Sequence, residues 1–194
     1  MHHIYHTHGF IVSSRNTGEA NKMLTIYTRE MGLVRAAVQG VRLHKSKLRF
    51  ALQDFSYVNV DLVRGKEVWR VTSAKNISSF VLARSDKASV VIMMRVASLL
   101  DRFFGVESPN EDVFDDIIQS FHLLDNDDVS PSTKEALEIH LVLRIMNSLG
   151  YIGDSEILSK YLSSPFSVDK TEMLLKERQS IIAHINKALV ESQL

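Results

Sequence analysis

Cysteine is absent from all 194 residues. That excludes a disulfide framework, a thiol nucleophile and a cysteine-ligated zinc site, and it is compatible with a reducing compartment. Missing too is any uninterrupted apolar run of about 18 residues, the length a membrane-spanning helix needs. The first residues, MHHIYHTHGF, lack the charged-then-apolar pattern of a secretory signal, so a cytoplasmic, nucleoid-associated location is expected. No phosphate-binding loop of the GxxxxGK[ST] type, no GxSxG and no HExxH is found, and Asp54, Asp61 and Glu67 have no catalytic spacing. These absences point away from an enzyme, and no cofactor is expected.

Net charge is lacking as well, 23 Lys and Arg balancing 23 Asp and Glu. Such a balance argues against a polyanionic partner, yet it hides a division. Residues 1–75 hold 12 Lys and Arg against 5 Asp and Glu, a formal +7, whereas residues 76–194 hold 11 against 18, a formal −7. A basic half followed by an acidic half suggests two domains, of which the first meets a polyanion. With 45% apolar and 24% charged residues the chain has the composition of an ordinary folded protein.

The charge of the first half is concentrated in GVRLHKSKLRFALQDFS, residues 40–56, where Arg42, His44, Lys45, Lys47 and Arg49 fall within eight positions. Phosphate backbones are attracted to such a cluster. Strand-like runs flank it. His8 to Ser14 and Ala20 to Arg29 read as a hairpin about the turn-forming Arg15-Asn16-Thr17-Gly18. Leu33 to Gln39 alternates with Val34, Ala36 and Val38 on one face, and Phe55 to Val63 does so with Val58, Val60 and Leu62. Arg64-Gly65-Lys66 then turns into a fifth strand, Glu67 to Thr72, with Trp69 assigned to the core. A helical turn fits between strands three and four, over Ser46 to Leu52. Five short strands in about 75 residues with this longer connection match a small Greek-key barrel of the OB-fold type.

Such barrels bind single strands across their second and third strands, using basic side chains and stacking aromatics. Lys22, Tyr27, Arg29 and Arg35 are candidates for that outward face, with Arg15 in the preceding turn. For Tyr27 two readings stay open: stacking on a base, or packing on a neighbouring strand.

Gly18-Glu19, Thr28-Arg29-Glu30-x-Gly32-Leu33, Gly40-x-Arg42, Lys45-Ser46-Lys47-Leu48-Arg49 and Leu52-Gln53-x-Phe55-Ser56 occur in an order and spacing that closely resemble the N-terminal domain of the RecO family. Leu149-Gly150-Tyr151 resembles a signature of that family's second half. The resemblance implies a non-catalytic recombination mediator. Proteins of this kind bind single- and double-stranded DNA, promote annealing, and work with RecR to load RecA onto DNA coated with single-stranded-DNA-binding protein. Many relatives carry a four-cysteine zinc site after the Leu-Gly-Tyr signature. Here Ile152-Gly153-Asp154-Ser155 stands in its place, so zinc binding of that kind is excluded. The chain is short for the family, and its helical half is expected to be trimmed.

The second half reads as helices. Ser85 or Asp86 caps one carrying Ile92, Val96, Leu99 and Phe103, and a second spans Asn110 to about Asp125 with Val113, Phe114, Ile117, Ile118 and Phe121 inward. Ser130-Pro131 starts a third that closes at Gly150, and its apolar centre LVLRIM predicts a central position. A last stretch, Asp169 to about Glu191, carries Met173, Leu174, Ile181, Ile182, Ile185 and Leu189 inward. Asp115, Asp116, Asp125, Asp127 and Asp128 are expected on a solvated face. Arg144 in the central helix needs an anion. Either an internal carboxylate supplies it, or Arg144 and His140 receive an acidic peptide terminus, for which the resemblance implies the C-terminal tail of single-stranded-DNA-binding protein.

His2, His3, His6 and His8 form a terminal cluster, with His6 and His8 on one strand face; it is read as incidental rather than as a metal site. The expected architecture is therefore α+β, an OB-fold barrel over residues 1–78 followed by an all-α bundle over residues 79–194. The contrasting functional reading is a protein-interaction adaptor whose basic barrel face binds an acidic partner.

Overall fold

In the computed structural model, the alternating runs of the first half form β1 (Ile4–Thr17), β2 (Asn21–Thr28), β3 (Gly32–Val38), β4 (Tyr57–Arg64) and β5 (Trp69–Ser78). The structure describes residues 3–105, 107–153, 156–162, 171 and 173–191. The sheet closes on itself in the order β1-β2-β3-β5-β4, with β3 and β5 parallel and the remaining pairs antiparallel. This is the OB-fold expected from the strand count. Val34, Ala36, Val38, Val58, Val60 and Leu62 point into the barrel with Ile11, Leu24, Ile26 and Trp69, as the alternation requires.

Several strand boundaries differ from expectation: β1 starts earlier, at Ile4, β4 starts later, at Tyr57, and β5 runs on to Ser78. β1 continues through Arg15 and Asn16 to Thr17, pairing Arg15 with Met23 and Thr17 with Asn21. The turn therefore falls after Thr17, where Gly18 supplies a φ of +60°. β5 begins at Trp69 rather than Glu67, because the Gly65 N–H donates to the Val68 carbonyl (3.1 Å) and draws Glu67 into a tight hairpin loop. β1 is long because its first half pairs with β4 and its second with β2. Val12 is the extra residue of a bulge at the changeover, and Phe10 and Val12, on either side of inward Ile11, both face away from the barrel interior.

The connection between β3 and β4 holds a single helical turn, α1 (Leu48–Ala51). Helices α2 (Val81–Ser85), α3 (Lys87–Phe103), α4 (Glu111–Leu124), α5 (Pro131–Ser148) and α6 (Glu156–Leu162) follow, then a 3-10 turn (Leu175–Glu177) and α7 (Arg178–Glu191). Three starts are set locally: Asp86 accepts from the Ser89 N–H (2.8 Å), Asn110 from Val113 (3.1 Å) and Ser130 from Thr133 (3.1 Å). α5 ends at Leu149 and Gly150, the latter at φ +77°. The expected start of the last helix, residues 169–170, lies outside the described residues. Met173, expected inward, is 54% exposed, whereas Leu174, Ile181 and Ile185 are buried. No helix among the described residues is long and apolar enough to cross a membrane.

A second hydrophobic cluster crosses from the barrel to the helices. Phe10, Val12, Tyr27 and Leu33, on the outside of β1–β3, pack with Phe80, Met93, Val96, Leu100, Phe114, Ile117, Phe121, Leu141 and Ile145. Phe10 meets Phe121 edge-on with centroids 5.1 Å apart, a geometry worth about 0.5–1.5 kcal/mol beyond its buried area. A third cluster joins α5 to α6 and α7 through Leu143, Leu158, Tyr161 and Ile181. Central placement of α5 follows, since it packs against α3, α4, α6 and α7.

The acidic residues do not form one solvated face. Asp115 pairs with Arg29, Asp116 with Arg144, and Asp125 accepts from the N–H groups of Leu82 and Ala83 at the start of α2; Asp127 and Asp128 are exposed. Three of the five are thus committed to partners within the fold, and the Asp116–Arg144 pair is largely out of water.

Candidate nucleic-acid interface

The helices cover only part of the outer sheet face. Outward residues Tyr27 and Leu33 lie under α3 and α4, while Arg15, Arg35 and Arg70 stay exposed. The registers place these in rows across the sheet. Arg15 is opposite Met23, Met23 opposite Ala37, and Ala37 opposite Arg70; one step along, Ser13, Thr25 and Arg35 are aligned. Arg15, Met23, Thr25 and Arg35 line a cleft of about 220 Å³ whose far wall includes Asp101 of α3. Ala37 and Arg70 continue the face into a larger recess of about 630 Å³ bounded by Arg64, Gly65 and Lys66 of the β4–β5 hairpin.

The same end of the barrel carries the basic segment. Arg42 ties it down: its N–H donates to the Ala20 carbonyl (3.0 Å) and its guanidinium to the Gly18 carbonyl (2.9 Å), joining the β3–β4 connection to the β1–β2 turn. His44, Lys45, Lys47 and Arg49 are exposed. Among the described residues no ion pair engages Arg15, Arg35, Arg70, Lys45, Lys47 or Arg49. The fold thus gathers unneutralised cations from β1, β3, β5 and the connection before β4 on one end, where a phosphate chain would find several of them at once.

Three expected DNA-binding residues are placed otherwise. Tyr27 is fully buried, with its ring 5.4 Å from Phe104 and 6.0 Å from Phe114 and its hydroxyl donating to the Asn110 carbonyl (3.2 Å). It does point away from the barrel interior, but helices rather than solvent lie there, and burial pushes its hydroxyl well above the usual tyrosine range. Arg29 sits at the same seam. Its guanidinium makes two bonds to Asp115 (3.1 and 3.0 Å) and an ion pair to Glu111 (2.9 Å), and the Asp115 hydrogen bonds hold it firmly protonated. Lys22 shares the inward parity of Leu24 and Ile26; it lies at the barrel mouth and donates to the Ser14 hydroxyl (3.2 Å).

The expected partner pocket is also internal. His140 is fully buried, its Nε2–H donating to the Tyr161 carbonyl (2.9 Å) while Nδ1 accepts from the Thr171 hydroxyl (3.2 Å). Arg144 donates from Nε to Asp116 (2.6 Å) and from a terminal nitrogen to the carbonyls of Tyr161 and Leu162 (both 3.3 Å), so it joins α4, α5 and the end of α6. Burial drives the Asp116 carboxyl above the ordinary carboxylate range, and Arg144 acts against that shift. The arginine in the apolar helix therefore has its anion inside the molecule.

Sequence reasoning missed Arg70, Arg64 and Lys66. In sequence Arg64 and Lys66 belong to a turn, and Arg70 reaches Ala37 solely because β5 closes on β3. Glu107 reaches this hairpin from the α3–α4 connection, accepting from Trp69 Nε1–H and from Arg64 (both 3.0 Å), with the Arg64 guanidinium 5.2 Å over the Trp69 ring. Those two donors, Trp69 first, lower the Glu107 carboxyl below its ordinary range. At the N-terminus, His6 Nδ1 pairs with Asp61 (2.6 Å) and His8 Nδ1 with the Tyr57 hydroxyl (2.8 Å).

A closed five-stranded OB-fold barrel, buttressed by helices on one side and basic on the exposed sheet face and the connection before β4, defines the class of this protein. Comparison with known families supplies the rest. Residues 1–80 match the family described as Recombination protein O N terminal. A protein named DNA repair protein RecO from Dehalococcoides mccartyi is 33% identical over 140 residues, 72% of this chain and 55% of that protein. A second, from Heliobacterium modesticaldum, is 31% identical over 148 residues, 76% of this chain and 52% of that protein. The chain is a RecO relative, and its first 80 residues belong to the Recombination protein O N-terminal family. It spans about half the length of the curated relatives it matches.

Proposed function

We propose that this chain is a non-catalytic DNA-binding mediator of DNA repair. In this reading it binds single- and double-stranded DNA, promotes annealing of complementary strands and, with a RecR-like partner, assists the loading of RecA. The observation that carries the reading is the set of exposed cations that make no ion pair among the described residues, Arg15, Arg35 and Arg70 on the uncovered part of the outer sheet face and Lys45, Lys47 and Arg49 on the connection before β4. The relatives named DNA repair protein RecO support the same role. Residues 1–78 are then the DNA-binding unit and residues 79–194 the helical buttress that covers the rest of the outer sheet. Annealing follows when two strands share the basic end and their mutual repulsion is neutralised. The acidic tail of single-stranded-DNA-binding protein belongs with this role as a partner, but its contact is sought away from His140 and Arg144, which are committed internally.

Fluorescence anisotropy of a labelled single-stranded oligonucleotide, titrated with the protein at several salt concentrations, tests the reading. Tight binding that weakens steeply with salt is expected, with faster annealing of complementary strands as the second result. No binding at low salt would refute it and return the basic end to an acidic protein partner.

A further inference from the structure

One aromatic ring stands in solvent in the middle of the basic segment. Phe50, on α1, is 72% exposed, whereas Phe10, Phe80, Phe104, Phe114 and Phe121 are buried. Its exposure does not come from a loosely held loop. Ala51 and Leu52 are buried, Leu48 packs against the barrel core, and the Leu52 N–H donates back to the Leu48 carbonyl (3.0 Å). A helical turn pinned along its inner side thus holds Phe50 outward. Leu43, earlier in the same connection, is 57% exposed.

The surroundings specify the chemistry of what covers this ring. Lys47 and Arg49 flank it, Lys45 is close in sequence, and no acidic residue occurs between Gly40 and Gln53. None of these three cations is in an ion pair among the described residues. An apolar protein surface would satisfy the ring but leave the cations facing nothing. Single-stranded nucleic acid satisfies both, with a flat base for the ring and phosphates for the ammonium and guanidinium groups. In a duplex the base faces are already stacked, and only phosphates are offered.

We propose that Phe50 stacks on an unpaired base while Lys47 and Arg49 hold the phosphates beside it, and that this tip gives the chain a preference for single strands over duplex. The inference rests on the DNA-binding reading above and adds a residue and a strand preference to it.

The test compares wild-type, F50A and F50W proteins on a labelled single strand and on a duplex of equal length. F50A should lower single-strand affinity about 5- to 150-fold, the usual range for loss of one base-stacking aromatic. Duplex affinity should stay within about twofold and the salt slope should not change, because no phosphate contact is removed. F50W should restore single-strand affinity, and its indole emission should be quenched by the single strand beyond any change that Trp69 shows in the wild-type protein. Equal losses on both substrates, or no loss on either, would overturn the assignment. Unchanged DNA binding together with loss of a wild-type dimer in sedimentation would also overturn it, giving the tip to a second copy of the chain. Failure of the wild-type protein to bind any DNA would instead defeat the underlying reading, a result distinct from an indifferent F50A.

Discussion

Salt dependence gives the basic end its most direct quantitative test. Six exposed cations, Arg15, Arg35, Arg70, Lys45, Lys47 and Arg49, have no ion-pair partner among the described residues, so none must break an internal bond before meeting a phosphate. On a single strand each neutralised phosphate adds about 0.7 to the slope of log affinity against log salt, so six contacts predict a slope of about 4. Raising salt from about 50 to 200 mM should then weaken binding ~300-fold. Replacing Lys45, Lys47 and Arg49 together by alanine halves the contacts, and the same rise in salt should cost only ~20-fold. The side chains are exposed, so the variant should fold normally, which a thermal melt checks. Anisotropy titrations at four salt concentrations on two unrelated sequences measure both slope and sequence dependence. An unchanged slope would refute the argument, as would a loss confined to one sequence, since phosphate contacts carry no base information. The triple variant R15A/R35A/R70A should lower the slope by a similar amount if the strand crosses both the sheet face and the basic connection.

Arg144→Ala should destabilise the protein by about 3–5 kcal/mol in denaturant unfolding, because it leaves Asp116 buried without its cation. Gly32→Ala should cost at least about 2 kcal/mol: the residue has a φ of +68°, and an added Cβ would fall 2.3 Å from the Ser108 carbonyl oxygen, forcing the α3–α4 connection off the barrel. Asp86 accepts from Lys134, then from the Ser89 hydroxyl and N–H, and these bonds hold its carboxyl below the ordinary aspartate range. With its folded pKa depressed, its contribution is complete above the unfolded value, about pH 4, and is lost as pH falls through the folded one. Thermal melts of wild-type and D86N proteins should therefore differ most near neutrality and converge in strong acid.

Much of this architecture follows from local pattern. The alternation of Val34, Ala36 and Val38, and of Val58, Val60 and Leu62, sets which face enters the barrel, because a strand has no other way to bury one row. Helix starts at Asp86, Asn110 and Ser130 depend on a side-chain oxygen and an N–H three residues away, so they too are written locally. Even the inward parity of Lys22 was available from its spacing to Leu24 and Ile26. The basic segment stays on the surface for the same kind of reason, since Arg42, Lys45, Lys47 and Arg49, four charged side chains in eight positions, have too few local partners to be buried together.

What pattern alone did not decide is which outward residues remain in water. Tyr27 and Arg35 both point away from the barrel interior, yet α3 and α4 arrive from about eighty residues along the chain and cover only the first. Arg29 finds Asp115, and Arg144 finds Asp116, across separations that composition cannot resolve. Arg70 joins the basic end only through the parallel closure of β5 on β3. Periodicity specifies a side chain's direction relative to its own element; whether solvent, a helix or a carboxylate stands in that direction is set by tertiary packing.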